Sequence, residues 1–134
     1  MEFDVVDLDH VAIRVSDMDD SLEFYHDILG LPVRDQEKHE AGELPFVSLV
    51  AGGRHIHLFP SSAPIEVGTE HVCLLFRSDE TSTRAAAETA LDELAAEGVE
   101  IEPDEPAERL GAYGRDWAVY VRDPDNRIVE LKFH

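Results

Sequence analysis

With 134 residues, of which 43% are hydrophobic, the chain has enough apolar material to bury a core in one domain or two small modules, which excludes a disordered tail. Thirty Asp and Glu against eleven Lys and Arg give a net charge of −19, which repels phosphate backbones and anionic lipid and excludes nucleic acid and membrane surfaces as partners. No apolar run approaches the roughly 18 residues of a membrane span, the acidic start Met1-Glu2-Phe3-Asp4 lacks a signal's basic region, and Cys73 stands alone, so a cytoplasmic protein without disulfides is expected.

Along the chain, the sequence is written twice. Leu8-Asp9-His10-Val11-Ala12-Ile13-Arg14-Val15 reads as a strand that runs into Ser16-Asp17, a helix N-cap. A helix over about Met18 to Leu29 follows, with Met18, Leu22, Tyr25 and Leu29 on one face and Gly30 as its stop. Strands are expected at Leu31 to Arg34, Phe46 to Val50 and Arg54 to Phe59. Pro60 to Gly68 clusters Ser, Pro and Gly as a linker. Thr69-Glu70-His71-Val72-Cys73-Leu74-Leu75-Phe76 then echoes the first strand, with Ser78-Asp79 as the second cap. The second helix, about Thr81 to Glu97, carries Ala87, Ala90, Leu91, Leu94 and Ala95 and stops at Gly98. Strands follow at Val99 to Glu102, Trp117 to Arg122 and Arg127 to Phe133, the last two joined by the turn Asp123-Pro124-Asp125-Asn126. Gln36 to Pro45 and Pro103 to Asp116 lack periodicity and read as loops. Each half is therefore β-α-β-β-β: module 1 about 4–60, linker 60–68, module 2 about 69–134.

Strand alternation decides which side chains gather. Val11, Ile13 and Val15 face a helix layer, so His10, Ala12 and Arg14 face away; Ile56 and Leu58 turn His55, His57 and Phe59 outward in the same sense. Val72, Leu74 and Phe76 leave His71, Cys73 and Leu75, while Val129, Leu131 and Phe133 leave Ile128, Glu130 and Lys132. Four strands thus each offer one ligand type: His10, His57, His71 and Glu130. His10 corresponds to His71 in the repeat, and His57 to Glu130. Three imidazoles and a carboxylate suit one divalent transition ion: zinc, nickel, iron, cobalt or manganese. His26, His39 and His134 fall on a helix surface, a loop and the terminus and receive no role. His55 lies on the site face near a strand end. Many carboxylates with only two lysines, Lys38 and Lys132, are the pattern of proteins adapted to high salt, which screens self-repulsion.

These residues resemble the vicinal oxygen chelate superfamily, which includes glyoxalase I, methylmalonyl-CoA epimerase, extradiol dioxygenases, fosfomycin-resistance enzymes and bleomycin-binding proteins. The resemblance covers nearly the whole chain through His10-Val-Ala-Ile-Arg14-Val-Ser-Asp17, Ser21-Leu-Glu-Phe24-Tyr25, Leu29-Gly30-Leu31, Glu70-His71-Val72 and Tyr120-Val-Arg-Asp123-Pro124-Asp125 leading to Glu130. It implies an α+β fold of two tandem βαβββ modules, curled mixed sheets enclosing one metal in a single glyoxalase-like domain, and a homodimer. His10, His71 and Glu130 match its first-, fifth- and last-strand ligands. His57 stands where glyoxalase I has another glutamate and the epimerase a glutamine, so a symmetric two-glutamate mechanism is not available. Arg14 matches an arginine that holds a substrate carboxylate, and Tyr120 a tyrosine that contacts substrate.

The resemblance implies a metal-dependent lyase or isomerase acting on a small α-oxo or α-hydroxy compound, with Glu130 as ligand and proton shuttle. An extradiol dioxygenase with a two-His, one-Glu iron site is the alternative, disfavoured if His57 is a fourth ligand. A small-molecule or antibiotic binding protein is the alternative of another class; such members usually lose the metal residues kept here. Fosfomycin-type ring opening ranks lower because the chain stops four residues after Glu130.

Overall fold

Alternation of Val11, Ile13 and Val15 with His10, Ala12 and Arg14 produces the first strand, β1 (His10–Val15), with one face inward and one outward. The structure, a computed structural model, describes residues 2–101 and 105–134 and divides into two compact units, Met1–Ile65 and Glu66–His134.

In the first unit Asp17 caps helix α1 (Met18–Leu22), its carboxylate accepting from the Asp20 backbone N–H at 2.9 Å. The regular helix expected as far as Leu29 does not continue. It widens into a π-helical turn over Glu23–Ile28, and the Leu29 N–H reaches back to the Phe24 carbonyl at 3.0 Å. Two bulky neighbours, Phe24 and Tyr25, occupy this turn, both buried and packed edge to face at 4.8 Å. Gly30, at φ +83, ends it in the left-handed conformation that glycine adopts at least cost.

Strands β2 (Val33–Arg34), β3 (Val47–Ala51) and β4 (Arg54–Pro60) complete a mixed sheet of order β1-β4-β3-β2. Its core is Val47, Leu49, Ile56 and Leu58 with Tyr25 of the helical turn. The segment read as a loop between Gln36 and Pro45 contains a short helix, α2 (Gln36–Glu40), with no buried residue. Without an apolar stripe, nothing in its periodicity announces it.

The second unit opens with β5 (Val72–Phe76) and α3 (Thr83–Ala96). The cap is Ser82, accepting from the Ala85 N–H at 3.1 Å, rather than the expected Ser78-Asp79. The helix packs Ala86, Ala87 and Leu94 inward against β8 (Gly114–Arg122) and β9 (Ile128–Phe133). The sheet runs β5-β9-β8-β6, where β6 is Glu100–Ile101; Glu102, expected in that strand, lies outside the described residues. The segment from Pro103 to Asp116, expected as a loop, departs further. Pro103 and Asp104 lie outside the described residues, but Ala107–Gly111 forms a strand, β7, that pairs with β8 and turns at Ala112-Tyr113. Module 2 thus carries one strand more than β-α-β-β-β. Between β8 and β9, the buried Asp123 carboxylate accepts from the backbone N–H groups of Asp125 and Arg127 at 2.9 and 2.8 Å, which fixes the turn.

Both units are mixed α+β, and each joins its first and last strands in parallel. In the first, Ala12 lies opposite His57; in the second, Cys73 lies opposite Glu130. The repeat read from the sequence is therefore a repeat of strand register.

Candidate metal site and its cavity

In the first unit, the β1/β4 register sets His10 one diagonal step from His57, and their rings stack at 4.1 Å with 19° between planes. Phe46 covers the other face of His57 at 4.0 Å and 10°. Burial first, then the neighbouring His10 and His55, push His57 below the usual histidine range, which keeps its ring neutral, the form that ligates metals. The Asp9 carboxylate accepts from His10 Nδ1–H at 2.6 Å, which leaves Nε2 as the free donor atom. That bond is also the main reason Asp9 titrates below the usual carboxylate range. His55 lies opposite His10 and is hydrogen-bonded through Nδ1 to Ser48 Oγ at 2.9 Å. Arg14 stands on the outward face of β1, the face that carries His10.

In the second unit, His71 Nε2 lies 3.1 Å from Glu130 Oε2. His71 Nδ1–H donates to the Thr69 carbonyl at 3.0 Å, so in its neutral form the ring turns its Nε2 lone pair toward a carboxylate oxygen, and in its protonated form it donates to that oxygen. In the neutral form the two atoms are facing acceptors, which need a cation between them, either a proton or a metal ion. The separation suits either: an N–H···O bond from a protonated ring spans about 2.7–3.2 Å, and two donor atoms about 2.1 Å from one ion, at right angles, lie roughly 3.0 Å apart. Glu130 is nearly buried, its side chain 8% exposed, which strengthens this demand.

Neighbouring strands flank the carboxylate with Cys73 on β5 and Tyr120 on β8. Cys73 is exposed as a residue, yet desolvation around its sulfur, and then Glu130, push the thiol up to about 12, so it carries no thiolate at neutral pH. Burial and then Glu130 also raise the Tyr120 hydroxyl above the usual tyrosine range, which keeps it a hydrogen-bond donor. The Tyr120 ring stands edge-on to His71 at 6.1 Å, and the Arg109 guanidinium lies 5.1 Å from its centre.

A cavity of about 300 Å³ opens in the same unit, with His71, Cys73, Glu130 and Lys132 among its lining residues and the β7/β8 turn along its side. Strand alternation places Lys132 on an outward face. It is 5% exposed, because β7 folds over it and the Arg109 and Gly114 carbonyls accept from its ammonium group. His134, given no role from the sequence, also lines the cavity, with Nδ1 3.1 Å from Asp116 Oδ2. Lys132 does not show itself in the sequence, because the strand that covers it has too few apolar residues to be read as one, and His134 does not because it stands exposed at the end of the last strand. His26 and His39 hydrogen-bond the Leu31 and Leu44 carbonyls at 2.7 and 2.9 Å. Among the described residues, no group of three or more His, Cys, Asp or Glu side chains forms a metal shell; the donors stand as the His10/His57 pair and the His71/Glu130 pair.

Residues 7–131 match the sequence profile of the Glyoxalase/Bleomycin resistance protein/Dioxygenase superfamily. The virulence protein STM3117 of Salmonella typhimurium is 24% identical over 131 residues, covering 92% of this chain and 81% of the relative. The glyoxalase domain-containing protein RDO1 of Mycosarcoma maydis is 28% identical over 130 residues, covering 97% of this chain and 69% of the relative. Among solved structures, a variant of the fosfomycin resistance protein FosX from Listeria monocytogenes, complexed with manganese(II) and 1S,2S-dihydroxypropylphosphonic acid, superposes with a TM-score of 0.74 at 19% identity, covering 96% of this chain and 92% of that one. At that identity the likeness carries the fold. With the family profile spanning almost the whole chain and two register-repeated α+β units beneath it, the protein belongs to the Glyoxalase/Bleomycin resistance protein/Dioxygenase superfamily.

Proposed function

We propose that the chain is a metal-dependent enzyme of glyoxalase type, a lyase or isomerase acting on a small α-oxo or α-hydroxy compound through two adjacent oxygens. The observation that carries this reading is the His71–Glu130 pair, whose Nε2 and Oε2 atoms stand at a spacing that suits two ligands on one ion. His10, His57, His71 and Glu130 are the proposed ligands, for zinc, nickel, iron, cobalt or manganese. When bound, such an ion supplies Lewis-acid stabilisation of the charge that develops on a substrate oxygen.

The chain's own residues handle the proton and the orientation. Glu130 takes a proton from the carbon beside the carbonyl and returns it. Tyr120, held protonated beside that carboxylate, donates a hydrogen bond to the substrate. Arg14 positions a substrate carboxylate. Functional proteins are proposed to be homodimers. The test is NMR of α-hydroxy ketones or hemithioacetals in deuterium oxide with the metal-loaded protein. Wild type should exchange or transfer the α-proton, and Glu130→Gln should lower the rate by about a hundredfold or more. No exchange with any of the five metals would reject the reading.

One observation favours a second reading. His57 is sandwiched between His10 and Phe46, a placement that suits packing, and without it the donor set is the two-His, one-carboxylate triad of an extradiol dioxygenase. With iron loaded anaerobically, oxygen uptake in the presence of a catechol, unchanged in rate and iron content by His57→Ala, would replace the lyase with the dioxygenase. Ligand binding with neither activity would make the chain a small-molecule binding protein.

A further inference from the structure

The cavity of the second unit is divided chemically along its length. Its floor rises in two-residue steps, His71, Cys73 and Leu75 from the β5 side and Glu130, Lys132 and His134 from the β9 side. Four residues of strand separate Glu130 from His134, about 13 Å. The donor pair His71/Glu130 occupies one end and the Asp116/His134 pair the other. Between them Lys132 is buried and tied to the Arg109 and Gly114 carbonyls, and the large side chains that stay exposed are apolar. Leu75 is 48% exposed, and from the hairpin tip come Leu110 and Tyr113, 77% and 75% exposed. Apart from Phe3, Val5, Val6 and Leu8 near the N-terminus, these three are the only exposed large hydrophobic side chains among the described residues, and all three line this cavity. On a chain of net charge −19, such a concentration of uncovered apolar surface marks a binding wall. The wall is fixed in place, since Lys132 ties Arg109 on β7 to Gly114 on β8 through their carbonyls.

We infer that the cavity selects a chelating substrate with an apolar body, an alkyl chain or a ring several carbons long, carried on the carbon skeleton next to its two vicinal oxygens. The oxygens sit at His71 and Glu130, and the body lies along Leu75 beneath Leu110 and Tyr113. A two- or three-carbon compound would leave that wall wet and gain nothing from it. This inference rests on the chelate reading above and narrows its substrate class.

Hydroxamates, which chelate through two oxygens, are suitable probes. Calorimetry on the manganese-loaded full chain compares acetohydroxamate, hexanohydroxamate and the poorly chelating hexanamide. Hexanohydroxamate should bind wild type at least about tenfold tighter than acetohydroxamate. In Leu110→Ser/Tyr113→Ser, whose replaced side chains are exposed and leave the core intact, the gap should fall below about threefold while acetohydroxamate binding is unchanged. Equal affinities for the two hydroxamates in wild type, or a gap that survives the double substitution, would overturn the inference and leave the chelate reading standing. Equal binding of hexanohydroxamate and hexanamide, with or without manganese, would support the apolar wall and overturn the chelate reading. Binding of none of the three would overturn both.

Discussion

Glu130 Oε2 lies 3.1 Å from His71 Nε2, one diagonal step across the parallel β5/β9 pair, with the other ring nitrogen of His71 already committed to the Thr69 carbonyl. His10 and His57 take the same diagonal across β1/β4. The repeat therefore delivers two donor pairs by one rule of register, a histidine just at or before the first strand and a second donor on the parallel last strand.

The facing acceptors make a prediction for the metal-free protein. At about pH 8, Glu130→Gln replaces a carboxylate oxygen with an amide that donates to His71 Nε2. Thermal melts should show the metal-free variant as stable as wild type or about 1 kcal/mol more stable, while the rise in melting temperature on adding metal is lost. A variant that is less stable without metal yet keeps the metal-induced rise would contradict the arrangement.

The His57 ring gives the pH dependence. Its folded-state titration lies below the ordinary value of 6.5, so the unfolded chain binds this proton first as pH falls. The resulting stability is complete above about 6.5 and is lost as pH falls through the lower, folded value. His57→Phe keeps the stack with Phe46 and removes the proton. In metal-free melts between pH 7.5 and 5, the variant should lose less stability than wild type, and parallel curves would refute the assignment.

Lys132 should hold the hairpin. Lys132→Met strips two carbonyls of a charged donor and should cost about 1–3 kcal/mol in chemical denaturation. Gly111→Ala should act in the same direction but more weakly, since a Cβ there would meet Lys132 Nζ at 2.7 Å and displace the movable end of that side chain. Hydrogen exchange should quicken at the amides of β7 and the first residues of β8 in both. Unchanged exchange would show that the hairpin stands without the lysine.

Most of this architecture is legible in the sequence because the strands alternate cleanly. Val11, Ile13 and Val15, and Leu74 with Val129 and Leu131, show their faces without any tertiary information. The additional strand β7 stays hidden because its inward positions are Ala107 and Arg109, and an arginine reads as solvent until Tyr120 is there to receive it. Lys132 is hidden for the same reason, its burial being made by that strand. The π-helical turn at Glu23–Ile28 leaves no mark, because the aromatic pair that fills it also fits a regular helix face. Ser82 outcompetes Ser78 and Asp79 as cap because the helix starts later than its polar flank suggests.

The charge predicts a dependence on salt. At net −19 the folded chain concentrates repulsion that salt screens over about 3 Å at 1 M and about 30 Å at 0.01 M. Melting temperature should fall on dialysis from molar to millimolar salt. A flat or rising curve would remove the reading of the acidity as an adaptation to salt.

Metal stoichiometry tests the central claim most directly. Equilibrium dialysis of the full chain against nickel or zinc, followed by elemental analysis, should find one ion per chain in wild type and in His26→Ala. His10→Ala, His71→Ala and Glu130→Ala should each weaken binding by at least about tenfold, and His57→Ala by less than His71→Ala. Equal metal content in wild type and the His10/His71 double variant would contradict the account.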